Sequence, residues 1–211
     1  MNQALNVRTL ERARLWREGI DDGALDTLFR EARTHNGWQA RPVPRHLLEE
    51  AVDLAKMAPT AVNSSPFRVI FVDSEDGKQR LRPTLSAGNV DKTIAAPVTA
   101  ILAHDLAFHE LLPRLFPHMD LKPMFAGNAE LAAQTAVQNA TLQAAYFILA
   151  IRAVGLDAGP MGGFDKDKVD AEFFAGTTLR SNLLVNIGYG DETKLFPRSP
   201  RLAFGEIASF A

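Results

Sequence analysis

The 211-residue chain is expected to fold as an α+β protein, with helices and short strands interleaved along its length. Three observations predict this class. Apolar residues recur at helical spacing, as in Leu47, Leu48, Ala51, Val52, Leu54 and Ala55. Between such windows lie short β-branched or apolar runs of strand length: Arg68-Val69-Ile70-Phe71-Val72, residues 97–103, and Leu183-Leu184-Val185-Asn186-Ile187. No repeat or linker interrupts the pattern, so residues 21–211 read as a single domain, preceded by a charged arm over 1–20.

Taken in order, Asp21 or Asp22 stands where a first helix needs its cap, with Leu25, Leu28, Phe29 and Ala32 as the apolar face. Pro44 suits the first turn of a second helix, which Pro59 stops. A polar loop over 60–65 leads through Pro66 into the first strand. A turn and helix over 75–85 end in the loop Ser86-Ala87-Gly88-Asn89, before the strand at 97–103. Residues 105–127, rich in Phe and Pro, read as a lid or excursion. Asn128 opens the longest helix, which runs to Val154 with Gly155 at C′. At 1.5 Å per residue it spans roughly 40 Å. Gly159-Pro160-Met161-Gly162-Gly163-Phe164 reads as a crossover. A helix over 165–174 and the last strand follow, the strand running into Gly188-Tyr189-Gly190-Asp191.

Composition narrows the function. Apolar residues at 46% and charged residues at 23% are ordinary globular values. A formal charge of −2 offers no general attraction to nucleic acid or to an acidic membrane. With no cysteine, disulfides, thiolate metal sites and cysteine nucleophiles are all excluded. Arg8, Glu11, Arg12 and Arg14 stand where a signal peptide would be apolar. Residues 131–151 carry no charge, yet Gln134, Thr135, Gln138, Asn139, Thr141 and Gln143 make that stretch unfit for lipid. A cytoplasmic protein without membrane or nucleic-acid partners is expected. His35, His46, His104, His109 and His118 show no metal-site spacing, and no metal is expected. Dinucleotide-fold, P-loop and α/β-hydrolase signatures are absent.

The remaining polar loops are ambiguous one by one. Taken alone, Arg33 reads first as a cation favoured by a helix C-terminus, and residues 60–66 as a plain turn. In combination they are more specific. Arg33-x-His35, Pro59-Thr60-x-x-Asn63-Ser64-x-Pro66, Gly88-Asn89-x-x-Lys92, Gly159-Pro160-x-x-Gly163-Phe164-Asp165 and Asn186-Ile187-Gly188-Tyr189-Gly190 resemble, in that order, the nitroreductase family over about residues 22–205. Three ungapped runs are especially similar to the malonic semialdehyde reductases of the Rut pyrimidine-degradation pathway. They begin at Ala32-Arg33-Thr34-His35-Asn36-Gly37-Trp38, Gly155-Leu156-Asp157 and Ser181-Asn182-Leu183-Leu184.

The resemblance implies a central, mostly antiparallel sheet flanked by helices, in an intertwined homodimer with FMN at the interface. NADPH or NADH is the implied reductant, and a small molecule the acceptor. Position by position, Arg33 is implied to pair with the FMN phosphate, helped by Arg198 or Arg201, because a guanidinium fork donates two parallel bonds. Thr34 and His35 would line the phosphate and ribityl chain. Pro59, Thr60, Ala61 and Asn63 would come from the second subunit. Asn89 and Lys92 would face the polar edge of the ring, with Pro160, Met161, Gly162 and Gly163 beside it.

Two residues depart from the family. Gly37 stands where a lysine is common, which makes Lys92 the candidate cation for the reduced flavin. Gly162 replaces a frequent acidic residue and opens space above the ring. Malonic semialdehyde would be reduced to 3-hydroxypropionate, with Arg68, Arg82 and Arg114 as candidate partners for its carboxylate. A broad nitro or quinone reductase and a flavin-binding module without turnover are the competing readings.

Overall fold

The computed structural model describes residues 19–211. The arm expected over 1–20 lies outside these residues, apart from Gly19 and Ile20, which are exposed.

Four strands form one sheet: β1 (Phe67–Val72), β2 (Val98–Asp105), β3 (Asp157–Met161) and β4 (Leu179–Gly188). Their order is β1-β2-β4-β3, and every pairing is antiparallel. All of β2 except Asp105 is buried, which explains its unbroken apolar run in place of a polar–apolar alternation. The two-residue period of the strand still sorts its side chains. Ala100 and Leu102 face one core, while Ile101 and Ala103 face the other.

The first core lies beneath α2 (Arg45–Ala55) and the long α7 (Ala129–Ala153). Leu48, Ala51 and Ala55 meet Phe147, Ala150 and Ile151 over Val185 and Ile187. The alanines of α7 let α2 and the sheet approach closely. Its polar residues are equally structural. Gln143 Oε1 accepts the Phe67 N–H at 3.1 Å, and Asn139 Oδ1 accepts the Ala61 N–H at 2.7 Å. These buried amides tie down β1 and the loop before it. No helix among the described residues is long and apolar enough to cross a membrane. The second core packs α3 (Glu75–Leu81) and α8 (Lys166–Phe173) on the opposite face, around Leu81, Val169 and Phe174.

The helix ends follow local chemistry. Asp21, Ser74, Asn128 and Asp165 each accept a backbone N–H as N-cap. At the end of α7, Gly155 takes φ +79°, with Gly155 N–H bonded to Arg152 and Leu156 N–H to Ile151, both at 3.0 Å. This is a Schellman closure, at the residue where the sequence predicts it.

Several expectations are revised. The first helix, α1 (Asp22–Leu25), widens at once into a π-helical turn over Asp26–Arg30. The wider turn breaks the 3.6-residue stripe, so none of Leu25, Leu28, Phe29 and Ala32 is buried, and Phe29 is 54% exposed. Pro44 is the N-cap of α2 and not a first-turn residue. An additional helix, α4 (Val90–Ile94), follows a 3₁₀ turn over Ala87–Asn89. Most of the expected crossover at 159–163 is strand: Gly159, Pro160 and Met161 belong to β3. Pro160 is tolerated there because β3 is an edge strand, where a missing N–H need not break the ladder. Residues 105–127 form short helices, α5 (Leu112–Leu115) and α6 (Lys122–Ala126). They pack Phe108, Leu112 and Phe125 against Ala132 and Ala136 of α7.

Candidate functional site

After the π-helical turn, the chain runs from Arg33 past the edge of the sheet. Thr34 forms a parallel bridge with Ala158 of β3, and Trp38 an antiparallel bridge with Gly190 just beyond β4. The His35 N–H donates to Ala158 O at 3.1 Å, and the Gln39 N–H to Tyr189 O at 2.8 Å. This anchoring leaves the Arg33 side chain at the mouth of a cavity of about 290 Å³.

Four arginines reach that cavity: Arg33, Arg152 from the last turn of α7, and Arg198 and Arg201 from the C-terminal tail. Thr34 and Asn36 add polar groups, and no carboxylate lines it. Arg33 donates to Phe196 O at 2.5 Å and Arg198 to Ala32 O at 3.3 Å, which folds the tail back over the Arg33 segment. Among the described residues, none of the four forms a salt bridge. Arg152 is the most confined. Its Nη1 donates to Leu28 O at 3.2 Å, while its buried Nε has no partner. Burial pulls its pKa below the ordinary arginine value, against the upward pull of Asp157. Converging guanidiniums repel one another, and a bound anion relieves both that repulsion and the unused donors.

Asn36, on the lining of this cavity, is linked by a hydrogen bond to α4. Lys92 Nζ donates to Asn36 Oδ1 at 3.2 Å, and the Trp38 indole N–H donates to Lys92 O at 3.1 Å. Asn89 Nδ2 donates to Gly163 O at 2.7 Å, and the Ser86 N–H donates to the same carbonyl at 3.1 Å. A Cβ at Gly163 would overlap Asn89 Nδ2, so a side chain there would displace that amide. Gly162 has open space where a side chain would stand. The fold therefore gathers Arg33, Thr34, Asn36, Asn89, Lys92, Gly163, Arg198 and Arg201 along one edge of the molecule.

Other candidates lie differently. His35 is 5% exposed and turns inward, its Nε2 3.3 Å from Asp157 Oδ1, with its ring against Gly190. It lines a neighbouring cavity of about 510 Å³, which Arg33, Arg152 and Arg198 also border, together with Asp26, Glu31, Asp157 and Glu192. Met161 is also buried, its Sδ receiving the Thr93 hydroxyl at 3.6 Å. Beyond its internal bonds, the loop of Pro59, Thr60, Ala61 and Asn63 makes hydrogen bonds to Asn139 and to Leu115 O, and none to the Arg33 segment. Val62, Asn63 and Ser65 hold positive φ of 50°, 51° and 42°, a concentration of strain associated with binding loops. Arg68 is engaged by Asp105 at 2.9 Å, which leaves Arg82 and Arg114 as the exposed members of that trio.

Two further cations, not among the candidates from the sequence, lie beside the site. Arg152 looks like an ordinary helix-end arginine until the tail folds back beside it. Lys194 lays its aliphatic stem over Gly37, where any side chain at position 37 would collide with it. No group of three or more His, Asp or Glu suited to a metal occurs among the described residues.

A family model described as the nitroreductase family matches residues 30–189. A Burkholderia lata protein provisionally named NADH dehydrogenase/NAD(P)H nitroreductase is 60% identical over 189 residues, covering 90% of this chain and 97% of that protein. A provisionally named nitroreductase of Bacillus subtilis superposes with a TM-score of 0.82 at 20% identity, over 90% of this chain and all of its own. Another from Exiguobacterium sibiricum, solved in complex with FMN, gives 0.78 at 21% identity, over 92% and 98% of the two chains. At these identities the two structures speak to the fold.

Proposed function

The chain belongs to the nitroreductase family, and from that premise we propose that it is an FMN-dependent NAD(P)H oxidoreductase whose acceptor is malonic semialdehyde. The observation that carries the cofactor is the acid-free cavity ringed by Arg33, Arg152, Arg198 and Arg201. It fits a phosphate monoester in charge and in having an unused buried donor at Arg152. The Asn36–Lys92 bond then leads from the phosphate end to Asn89 and Gly163, the ring end. When bound, FMN supplies the electron-transfer chemistry between nicotinamide and acceptor.

The chain's own residues bind and orient. Arg33 and the tail arginines hold the phosphate, and Thr34 adds a hydroxyl beside them. Lys92 provides positive charge at the polar edge of the ring. Pro160, Met161, Gly162 and Gly163 form the wall beside it. Pro59, Thr60, Ala61 and Asn63 complete the site from a second subunit. Exposed Leu54, Met57, Leu142 and Tyr146, with Phe204 and Phe210 of the tail, supply apolar surface for such a homodimer. Residues 21–211 act as one domain in this reading.

The overall reaction converts malonic semialdehyde, NAD(P)H and a proton to 3-hydroxypropionate and NAD(P)⁺. A second reading, a broad nitro or quinone reductase, is favoured by the open space at Gly162. One experiment separates the readings. The FMN-loaded protein is bleached anaerobically with NADPH or NADH, then reoxidised by malonic semialdehyde, a quinone or a nitroaromatic. Fast reoxidation by the semialdehyde alone supports the first reading, and comparable rates with all three support the second. Failure of NAD(P)H to bleach the flavin leaves a binding module, and failure to bind FMN refutes the cofactor assignment.

A further inference from the structure

A buried polar network lies directly behind this edge of the molecule. Lys78 of α3 is 4% exposed, and its ammonium donates to Thr93 O at 2.8 Å and to the Thr99 hydroxyl at 2.5 Å. The Thr99 hydroxyl donates onward to Asn186 Oδ1 at 2.8 Å. Asn186 Nδ2 donates to Thr93 Oγ1 at 3.2 Å and to Lys92 O at 3.4 Å. The Thr93 hydroxyl reaches Met161 Sδ at 3.6 Å. The network therefore ends on the Lys92 carbonyl and on Met161, two residues assigned above to the ring end of the site.

No carboxylate pairs with the Lys78 ammonium among the described residues. The groups its network meets on β2, β3 and β4 are Thr99, Met161 and Asn186, all uncharged. On its own helix Glu75 acts only through space, and Lys92 of α4 sends its ammonium away to Asn36. Burial lowers the Lys78 pKa to about 8, so the group still carries its charge in neutral solution. An unpaired buried ammonium is expensive, and an apolar side chain of similar volume would fill the space at less cost. The position therefore holds a charge that packing does not require.

Resting on the FMN reading above, we propose that Lys78 is a positioning residue for the reduced cofactor. Its buried ammonium, linked through Thr93 and Asn186 to Lys92 and Met161, is a fixed positive charge that favours reduced over oxidised FMN. Across about 10 Å and an effective dielectric near 20, one unit charge alters the binding of an added negative charge roughly tenfold.

The test is the two-electron midpoint potential of bound FMN, measured by anaerobic dye-coupled titration in the wild type and in Lys78→Gln, Lys78→Met and Lys78→Arg. Both neutral variants are expected to lose about tenfold in affinity for reduced relative to oxidised FMN, a fall of about 30 mV. Lys78→Arg is expected to retain the wild-type value. Neutral variants that hold FMN at the wild-type potential overturn the proposal. Should neither neutral variant fold, the Lys78 ammonium resonance of the wild-type holoenzyme takes over. It is expected to titrate at higher pH once the flavin is reduced, and titration at the same pH in both states also overturns the proposal. A wild type that binds no FMN would instead refute the cofactor reading, a distinguishable failure.

Discussion

The unpaired ammonium of Lys78 gives the protein a stability–pH signature that can be read without any cofactor. The perturbation is Lys78→Met, an unbranched side chain one atom shorter that removes the charge. Burial depresses the folded-state pKa from the ordinary lysine value of 10.5 to about 8. At 1.36 kcal/mol per pH unit, this amounts to on the order of 3 kcal/mol. The sign follows from proton counting. Between about pH 8 and 10.5 the unfolded chain binds the Lys78 proton and the folded chain does not, so unfolding free energy rises with pH. Below pH 8 both states are protonated, and the full burial penalty weighs on the folded state.

Lys78→Met lacks this contribution at every pH. The variant also strips a donor from Thr93 O and Thr99 Oγ1, a pH-independent loss of about 1–3 kcal/mol for a buried group left unsatisfied. The offset between wild type and variant is therefore set by several effects, but its slope is set by one. Urea denaturation of the apoprotein at intervals from pH 7 to 10.5 isolates it, because every other titrating group cancels in the difference. The wild type is expected to gain about 3 kcal/mol on the variant across that range. A flat difference would refute the picture of a buried, unpaired lysine.

Three further outcomes are expected. Arg33→Ala and Arg152→Ala should each weaken FMN binding by about 10- to 100-fold, the worth of a charge-assisted hydrogen bond, as read from flavin fluorescence quenching; unchanged affinity in both would remove the phosphate from this cavity. Gly190→Ala should destabilise the protein by about 1–3 kcal/mol, since the added methyl group lands on the buried His35 ring; a calorimetric midpoint lowered by roughly 2–12 °C is the signature, and an unchanged midpoint contradicts this packing. Gly163→Ala should break the Asn89 contact and lower FMN affinity, with less effect on the melting temperature than Gly190→Ala; a variant that binds FMN as the wild type does would place the ring elsewhere.

Elements governed by neighbours in sequence were legible from the sequence. Asn128 and Gly155 mark the two ends of α7, because an N-cap oxygen and a left-handed C′ residue act within four positions of themselves. The central strands were legible because their apolar runs are short and continuous. β3 was not, because Asp157-Ala158-Gly159-Pro160-Met161 has weak strand propensity and becomes a strand only by pairing with β4. The stripe from Leu25 to Ala32 was misleading for a related reason, since a π-helical turn changes the period on which such stripes depend.

The candidate site divides in the same way. Residue order alone carries the family resemblance, the succession of the polar loops, and Arg33, Asn89, Lys92 and the tail arginines as candidates for one cofactor. Folding brings Arg152 into the arginine cavity, turns His35 inward to Asp157, and buries Lys78 against the Thr93 carbonyl next to Lys92. Each of these depends on groups distant in the chain, such as Asn186 bonded to Thr93 or Arg33 bonded to Phe196 O. Caps and periodicities are short-range properties that a sequence carries in plain order. The burial of a charge, and the anion it calls for, arise only when remote segments close around it.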